Sequence, residues 1–282
     1  MILGIMAILS VLSGGAVCAA TGAFAGSSWL WMLPAGAAGA FLLMALAFFL
    51  FLLICCALVD IQKPQETDSP FYRRLTYFTA KLALEILQVR MHVRGMENVP
   101  TDGRILMVSN HLNDMDPVVL MYHFRKKQLA FISKRENSTM FVVGKLMHKT
   151  MCQMINREND REALKTILKC VQLIREDQVS IGVFPEGYTS LDGLLHPFRN
   201  GVFKIAQKAQ VPIVVCTLQN TQYIFRNALK LKPTDVHLHM LGVIPVEELQ
   251  GVTAVEIGKR VHKMMADDLG PELVLPESEE TP

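Results

Sequence analysis

Not one Asp, Glu, Lys, Arg or His occurs among the first 59 residues, a stretch far too long to belong to the surface of a water-soluble domain. The 28 Lys and Arg and the 26 Asp and Glu all lie from Asp60 onward. There they make up about a quarter of the residues, as in an ordinary globular domain. We therefore predict a hydrophobic membrane segment over residues 1–59, followed by a globular part.

Two apolar runs in this segment predict a helical hairpin in the membrane, since about 20 apolar residues span a bilayer core. The first run covers about residues 1–24, and the second covers about residues 33–59. Gly, Ser, Pro and two Trp residues between them indicate a turn at headgroup level. A cleaved signal peptide over residues 1–26 is the competing interpretation, although it lacks the usual positively charged start. A hairpin embedded in one leaflet is the alternative to full spanning.

The charge distribution predicts a location and partners. The first basic residues follow the second apolar run, which favours the cytoplasmic membrane with residues 60–282 on the cytoplasmic side. Six acidic residues and no base follow Ala266, so residues 60–266 carry +8 although the chain carries +2. A basic body beside a membrane favours membrane lipids, a phosphate or an acidic carrier protein as partners. No nucleic-acid partner is expected, because no reading motif is present.

The pattern of elements after residue 60 predicts the fold. A linker and an amphipathic helix occupy residues 60–94, an α/β domain follows over residues 95–265, and residues 266–282 form an acidic tail. Strands are predicted at 105–109, 129–133, 152–155, 180–184, 212–218 and 236–244, with helices at 117–127, 139–149, 159–176 and 200–209. This alternation predicts an α/β fold with a mostly parallel sheet flanked by helices. The loops after Ser109, Ser133, Ile155 and Phe184 should then face one site.

The loop after the first of these strands carries a histidine and two nearby carboxylates. His111 and Asp116 are five residues apart and can meet across one turn, where the carboxylate fixes the imidazole tautomer and stabilises the imidazolium. Asp114 is a second candidate partner for His111. Alternatively, Asp116 before Pro117 is only a helix cap, with no chemical role.

The loop after the strand at 180–184 contains the sequence FPEG. Pro185 and Gly187 around Glu186 predict a tight turn that presents a carboxylate and backbone amides to a ligand. The alternative is a plain turn that closes a strand. His237 and His239 share a strand face, but no third ligand lies near them in the sequence, so we predict no metal site.

Together these loops resemble the glycerolipid acyltransferases, in particular the 1-acylglycerol-3-phosphate (lysophosphatidic acid) acyltransferase family, over about residues 95–245. The family motif NHxxxxD matches Asn110, His111 and Asp116, and the motif FPEG matches residues 184–187, with Ser190 at its polar end. The family motif VPIV matches residues 211–214. The family's second region resembles Lys134, Arg135 and Glu136 followed by Ile155, Asn156 and Arg157.

The resemblance implies acyl transfer from acyl-CoA or acyl carrier protein directly to the hydroxyl of lysophosphatidic acid, giving phosphatidic acid, with no cofactor and no metal. It implies that His111, held by Asp116, is the base. The substrate-binding residues that it implies are Asn110, Lys134, Arg135, Arg157, Phe184, Pro185, Glu186 and Gly187.

One position departs from the family pattern. Thr189 stands where the family usually has an Arg that helps to bind the acceptor phosphate. Lys134, Arg135, Arg157 or Arg199 could supply this charge, or the acceptor is another lysolipid or an amino-acid lipid. A non-catalytic lipid-binding protein is a further alternative, although such a protein would not need the His and the two carboxylates.

Overall fold

The computed structural model describes residues 2–156 and 159–276. In these ranges the helices are α1 (Ile2–Ala20), α2 (Trp29–Ala57), α3 (Pro70–Ile86), α4 (Asp116–His123), α5 (Phe141–Lys149), α6 (Asp160–Arg175), α7 (Lys204–Ala209), α8 (Ile224–Ala228) and α9 (Ala254–Leu269). The strands are β1 (Val89–Arg94), β2 (Leu106–Ser109), β3 (Leu129–Lys134), β4 (Gln153–Ile155), β5 (Ser180–Val183), β6 (Ile213–Gln219) and β7 (Thr234–Ile244).

The seven strands form one sheet in the order β1-β7-β6-β2-β5-β3-β4. Strands β2 to β6 are parallel, β7 runs antiparallel to β6, and β1 is parallel to β7. The predicted α/β fold with a mostly parallel sheet is therefore confirmed. The central strands β2 and β5 are buried along their whole length, which is why they appear in the sequence as continuous apolar runs.

Two elements differ from the sequence prediction. Strand β1 occupies residues that we assigned to the linker and the amphipathic helix, because it is an edge strand whose exposed side chains alternate with half-buried ones. Helix α9 continues to Leu269, into the region assigned to the acidic tail. Asp268 at its end accepts hydrogen bonds from Thr217 and His239 of the sheet, so this acid belongs to the folded domain.

The apolar helices α1 and α2 pack against each other as the predicted hairpin. A Cβ atom on Gly14 would lie 2.7 Å from the Leu33 carbonyl oxygen, so only glycine permits this close approach. By length and composition alone, both helices are able to cross a membrane. Most of their large apolar side chains are exposed, as expected for a surface that faces lipid.

Both ends of the hairpin contact the globular domain on the same side. The amides of Ile2 and Leu3 donate to the carboxylate of Glu85 in α3. At the other end, Lys145 Nζ in α5 donates to the Val59 carbonyl oxygen at 2.6 Å. The hairpin is therefore attached to the domain through α3 and α5.

Candidate active site

The loops after β2 and β5 meet because these two strands are neighbours in the sheet. The His111 amide donates to Glu186 Oε1 at 2.8 Å, and the Ser190 amide donates to the His111 carbonyl oxygen at 2.8 Å. The residues of the two sequence motifs, which lie about 75 positions apart, therefore form one site at the carboxyl end of the sheet.

A histidine and a buried carboxylate form the centre of this site. His111 Nδ1 lies 2.9 Å from Asp116 Oδ2, and the Asp116 side chain is completely buried. The same oxygen accepts hydrogen bonds from the amides of Leu112 and Asn113, at 2.6 and 2.8 Å. Since the carboxylate only accepts, the proton of the neutral imidazole lies on Nδ1 and the lone pair lies on Nε2.

The helix-cap alternative for Asp116 does not describe this arrangement. Helix α4 begins at Asp116, but the carboxylate bonds backwards to the amides of the preceding loop and to His111. The structure thus pairs His111 with Asp116, whereas the Asp114 side chain is exposed to solvent.

Two neighbours from the FPEG segment hold the imidazole from its other sides. The ring of Phe184 stacks on the ring of His111 with centroids 4.1 Å apart and an angle of 15°. Thr189 Oγ1 lies 3.1 Å from His111 Nε2 and donates its hydroxyl proton to that lone pair. His111 Nε2 therefore already binds one hydroxyl group.

Glu186 joins the two loops through its buried carboxylate. Oε1 accepts from the His111 amide, while Oε2 accepts from the Ser190 hydroxyl at 2.5 Å and from the His196 amide at 3.1 Å. Burial raises the pKa of Glu186 above its ordinary value, although these hydrogen bonds act in the opposite direction. Glu186 positions the His111 loop, and its contact with a substrate stays a prediction.

The backbone conformation requires glycine at position 187, and the Asn110 side chain bonds the backbone of a neighbouring strand. Gly187 has φ +84°, and a Cβ there would lie 2.9 Å from Cδ of Arg199, so the position needs glycine for two separate reasons. The Asn110 side chain donates through Nδ2 to the Leu218 carbonyl oxygen, and its Oδ1 accepts from the Leu218 backbone amide near the end of β6. Asn110 thereby ties the His111 loop to the next strand, and its predicted role in binding substrate is untested.

A mainly apolar cavity of about 390 Å³ lies next to Phe184, whose ring stacks on His111. Phe184 and Pro185 form the wall on the side of His111, and Gly187 and Arg199 lie at the same end. The main apolar side chains of the other walls are Ile132, Ile155, Leu164, Ile167, Val183 and Val202. Loops and strand ends from β3, β4 and β5 thus contribute to one cavity, whose apolar lining suits a hydrocarbon chain.

The predicted basic residues lie away from this network of hydrogen bonds. Lys134 ends β3 and Arg135 follows it. Both are exposed, and Arg135 Nη2 lies 3.7 Å from Glu162 Oε2. Arg157, the third predicted cation, lies outside the described residues. No group of three potential metal ligands occurs in residues 2–156 and 159–276, and the expectation of a reaction without metal stays a prediction.

Sequence reasoning did not identify the contacts by which Thr189, His196 and Arg199 complete the site. Thr189 was noted only as a departure from a family pattern, yet its hydroxyl binds His111 Nε2. Arg199 was named only as a possible source of the phosphate-binding charge, and His196 was not named. Both follow in the same long loop, and the Arg199 amide donates to the Pro185 carbonyl oxygen. Their nearness to the FPEG motif was the one available signal, since loop contacts leave no periodic pattern.

Comparisons with known proteins agree with this arrangement. The family model described as Acyltransferase matches residues 90–219. A 1-acyl-sn-glycerol-3-phosphate acyltransferase of Borreliella burgdorferi is 28% identical over 60% of this chain and 67% of its own length. A chloroplastic 1-acyl-sn-glycerol-3-phosphate acyltransferase of Arabidopsis thaliana is 31% identical over 71% of this chain and 52% of its own. The chain thus spans between about half and two thirds of these relatives.

A solved structure shows the same fold. The crystal structure of the 1-acyl-sn-glycerophosphate (LPA) acyltransferase PlsC from Thermotoga maritima superposes with a TM-score of 0.61 at 21% identity. The similarity covers 79% of this chain and 87% of that protein. The matched family segment contains His111, Asp116 and the FPEG turn. Residues 90–219, which hold these motifs, therefore form a domain similar to the acyltransferase family.

Proposed function

We propose that this protein transfers a fatty acyl chain from a thioester, acyl-CoA or acyl carrier protein, to the free hydroxyl of lysophosphatidic acid, giving phosphatidic acid. The observation that carries this proposal is the His111–Asp116 pair, whose Nε2 atom already accepts a hydrogen bond from a hydroxyl. The names of the relatives supply the substrate class.

In the proposed reaction, His111 is the general base. The acceptor hydroxyl replaces the Thr189 hydroxyl on Nε2 and gives its proton to that nitrogen while its oxygen attacks the thioester carbonyl carbon. Asp116 stabilises the imidazolium that forms. The C–S bond then breaks, and the thiolate leaves with the proton from the imidazolium. The acyl donor is the only co-substrate, and no cofactor or metal takes part.

The oxyanion of the intermediate needs donors that are not already used. The amides of His111, Leu112, Asn113, Gly187 and Ser190 all donate within the site. By contrast, the amides of Tyr188 and Thr189 donate to no acceptor in the part of the chain that the structure describes. We therefore assign the oxyanion contact to these two amides, next to the hydroxyl on Nε2.

The protein's place in the cell is part of the same proposal. We expect the hairpin to anchor the protein in the cytoplasmic membrane with the active site on the cytoplasmic side, because the first basic residues follow α2. The domain is then held next to a lipid acceptor, and the attachment of the hairpin to α3 and α5 limits its movement. Protease protection of the domain in sealed right-side-out vesicles would support this orientation.

The test is acyl transfer by the detergent-purified protein to lysophosphatidic acid and to lysophosphatidylglycerol in parallel. His111→Ala should abolish transfer. His92→Ala is the matched control, because His92 also pairs with a carboxylate, Asp235, at 2.8 Å, but at the β1 edge of the sheet, separated from β2 by two strands. Turnover by the His111 variant would refute the base assignment.

The acceptor comparison decides between this function and the alternatives. A preference for lysophosphatidylglycerol would indicate another lysolipid as the acceptor, the second candidate that Thr189 raises. Binding without turnover of either acceptor, from either donor, would indicate a non-catalytic lipid-binding protein.

A further inference from the structure

Arg199 lines the cavity and its backbone and side chain are held by the FPEG turn. Its amide donates to the Pro185 carbonyl oxygen at 2.8 Å, which fixes its backbone against the FPEG turn. Its side chain passes over Gly187, where the absence of a Cβ leaves room for Cδ and Nε. Two residues of the turn thus hold the stem of Arg199 beside the wall that Phe184 forms next to His111.

The Arg199 guanidinium has no anionic partner in the described part of the chain. Its side chain forms neither an ion pair nor a hydrogen bond there, whereas Arg135 already lies near Glu162. Lys204 lines the same cavity, and the only acid among the described lining residues is Asp160. The charged side chains of the cavity therefore leave an excess of positive charge beside apolar walls.

An apolar cavity with a cationic end suits one class of ligand, a single-chain lipid with an anionic headgroup. The hydrocarbon fills the apolar part, and a guanidinium binds phosphate oxygens through two parallel hydrogen bonds, which an ammonium group cannot form. A phosphomonoester carries more charge and more free oxygens than a phosphodiester, so it gains more from this contact. Phe184 lines the same cavity and stacks on His111, so a headgroup bound at Arg199 would lie near the group that accepts the hydroxyl proton.

We propose that Arg199 is the phosphate-binding residue of this site and recognises the phosphomonoester headgroup of the acceptor lipid. The inference rests on the proposed function for the identity of the acceptor. It selects Arg199 in place of Lys134 and Arg135, which do not line the cavity. Gly187 has a part in this role, because it makes the space that the Arg199 side chain occupies.

The first experiment measures binding without turnover. The probe is a 2-deoxy analogue of lysophosphatidic acid, which has the phosphate but no hydroxyl to acylate, titrated calorimetrically into the full-length protein in detergent. Arg199→Gln should weaken binding about 10- to 100-fold, the loss expected for hydrogen bonds to a charged group. Arg199→Lys should recover part of it, because it keeps the charge but not the paired donors.

The matched control is Lys208→Gln, which removes one exposed positive charge from α7 outside the cavity. This variant should bind the analogue like the wild type. Thermal unfolding of each variant shows whether a loss of binding is a loss of fold. Equal binding by Arg199→Gln and Lys208→Gln would overturn the assignment of Arg199.

Initial rates separate this inference from the proposed function. With lysophosphatidic acid, Arg199→Gln should raise KM about 10- to 100-fold and change kcat little, because the contact exists before and during transfer. With monoacylglycerol, which has no phosphate, its KM should equal that of the wild type. An equal rise with both acceptors refutes phosphate recognition. If the wild type acylates neither acceptor, the proposed function fails, while calorimetry still tests the phosphate contact.

Discussion

Replacing Asp116 by Asn isolates the charge of the carboxylate from its geometry. Oδ2 accepts from the amides of Leu112 and Asn113 at 2.6 and 2.8 Å, and only the carbonyl oxygen of an Asn can occupy that place. Oδ1 is buried and accepts no hydrogen bond within the described residues, so an NH2 group there displaces no donor. The His111 ring should therefore keep its orientation and its tautomer in the Asp116→Asn variant.

The expected loss is then the electrostatic stabilisation of the imidazolium. Two opposite charges about 4 Å apart attract each other by about 4 kcal/mol at an effective dielectric constant of about 20. An amide in place of the carboxylate removes most of this energy from the transition state but little from the ground state, in which the imidazole is neutral. Since 1.36 kcal/mol corresponds to a tenfold change in rate, kcat should fall roughly 100- to 1000-fold with little change in KM.

The assay is the initial rate of phosphatidic acid formation at saturating donor and acceptor. Asp114→Asn is the control, because it neutralises an exposed carboxylate in the same loop and should keep the wild-type rate. Denaturant unfolding should show a moderate cost for Asp116→Asn, about 1–3 kcal/mol for a buried NH2 without an acceptor. A kcat within threefold of the wild type, in a folded variant, would refute the role of the charge.

Substitutions at three further positions have testable outcomes. Glu186→Ala leaves three donors without an acceptor and should lower the unfolding free energy by about 2–4 kcal/mol, measured by denaturant titration. Burial raises the pKa of Glu186, so the stability that this residue contributes should decline as the pH rises from the ordinary glutamate pKa through the raised pKa. If the unfolding free energy of Glu186→Ala had the same pH slope as that of the wild type, this would contradict the prediction. Thr189→Val should keep kcat within a few-fold, since Asp116 and the Phe184 ring already hold the imidazole, and a 100-fold loss would show that the hydroxyl takes part in transfer. Gly14→Leu should separate α1 from α2, seen as faster proteolysis of the hairpin in detergent, whereas Gly15→Leu, with open space around it, should not.

Most of the fold could be predicted from the sequence because the relevant signals are local. The hydropathy of residues 1–59 and the alternation of apolar runs with helical patterns depend on neighbouring residues alone. Strand β1 was not predicted, because its apolar and charged residues alternate on an edge strand and form no long apolar run. Helix α9 has a capping box at Thr253 and Glu256, a local signal that was present but not used.

The site was predicted in part, for the same reason. His111 and Asp116 are five residues apart, so one loop brings them together whatever the rest of the chain does. The FPEG turn is equally local. By contrast, the hydrogen bond from the His111 amide to Glu186 exists because β2 and β5 are neighbours, and strand order is a property of the whole sheet.

The sequence by itself thus determined the apolar helical hairpin, the α/β alternation and the proximity of His111 to Asp116, since each depends on residues close together in the chain. The tertiary structure alone decided what surrounds the imidazole: Thr189 on Nε2, Phe184 on the ring face and Arg199 over Gly187. These contacts join residues that lie far apart in the chain or within an irregular loop. Packing and hydrogen bonding of the complete fold select them, and no periodic pattern in the sequence records that selection.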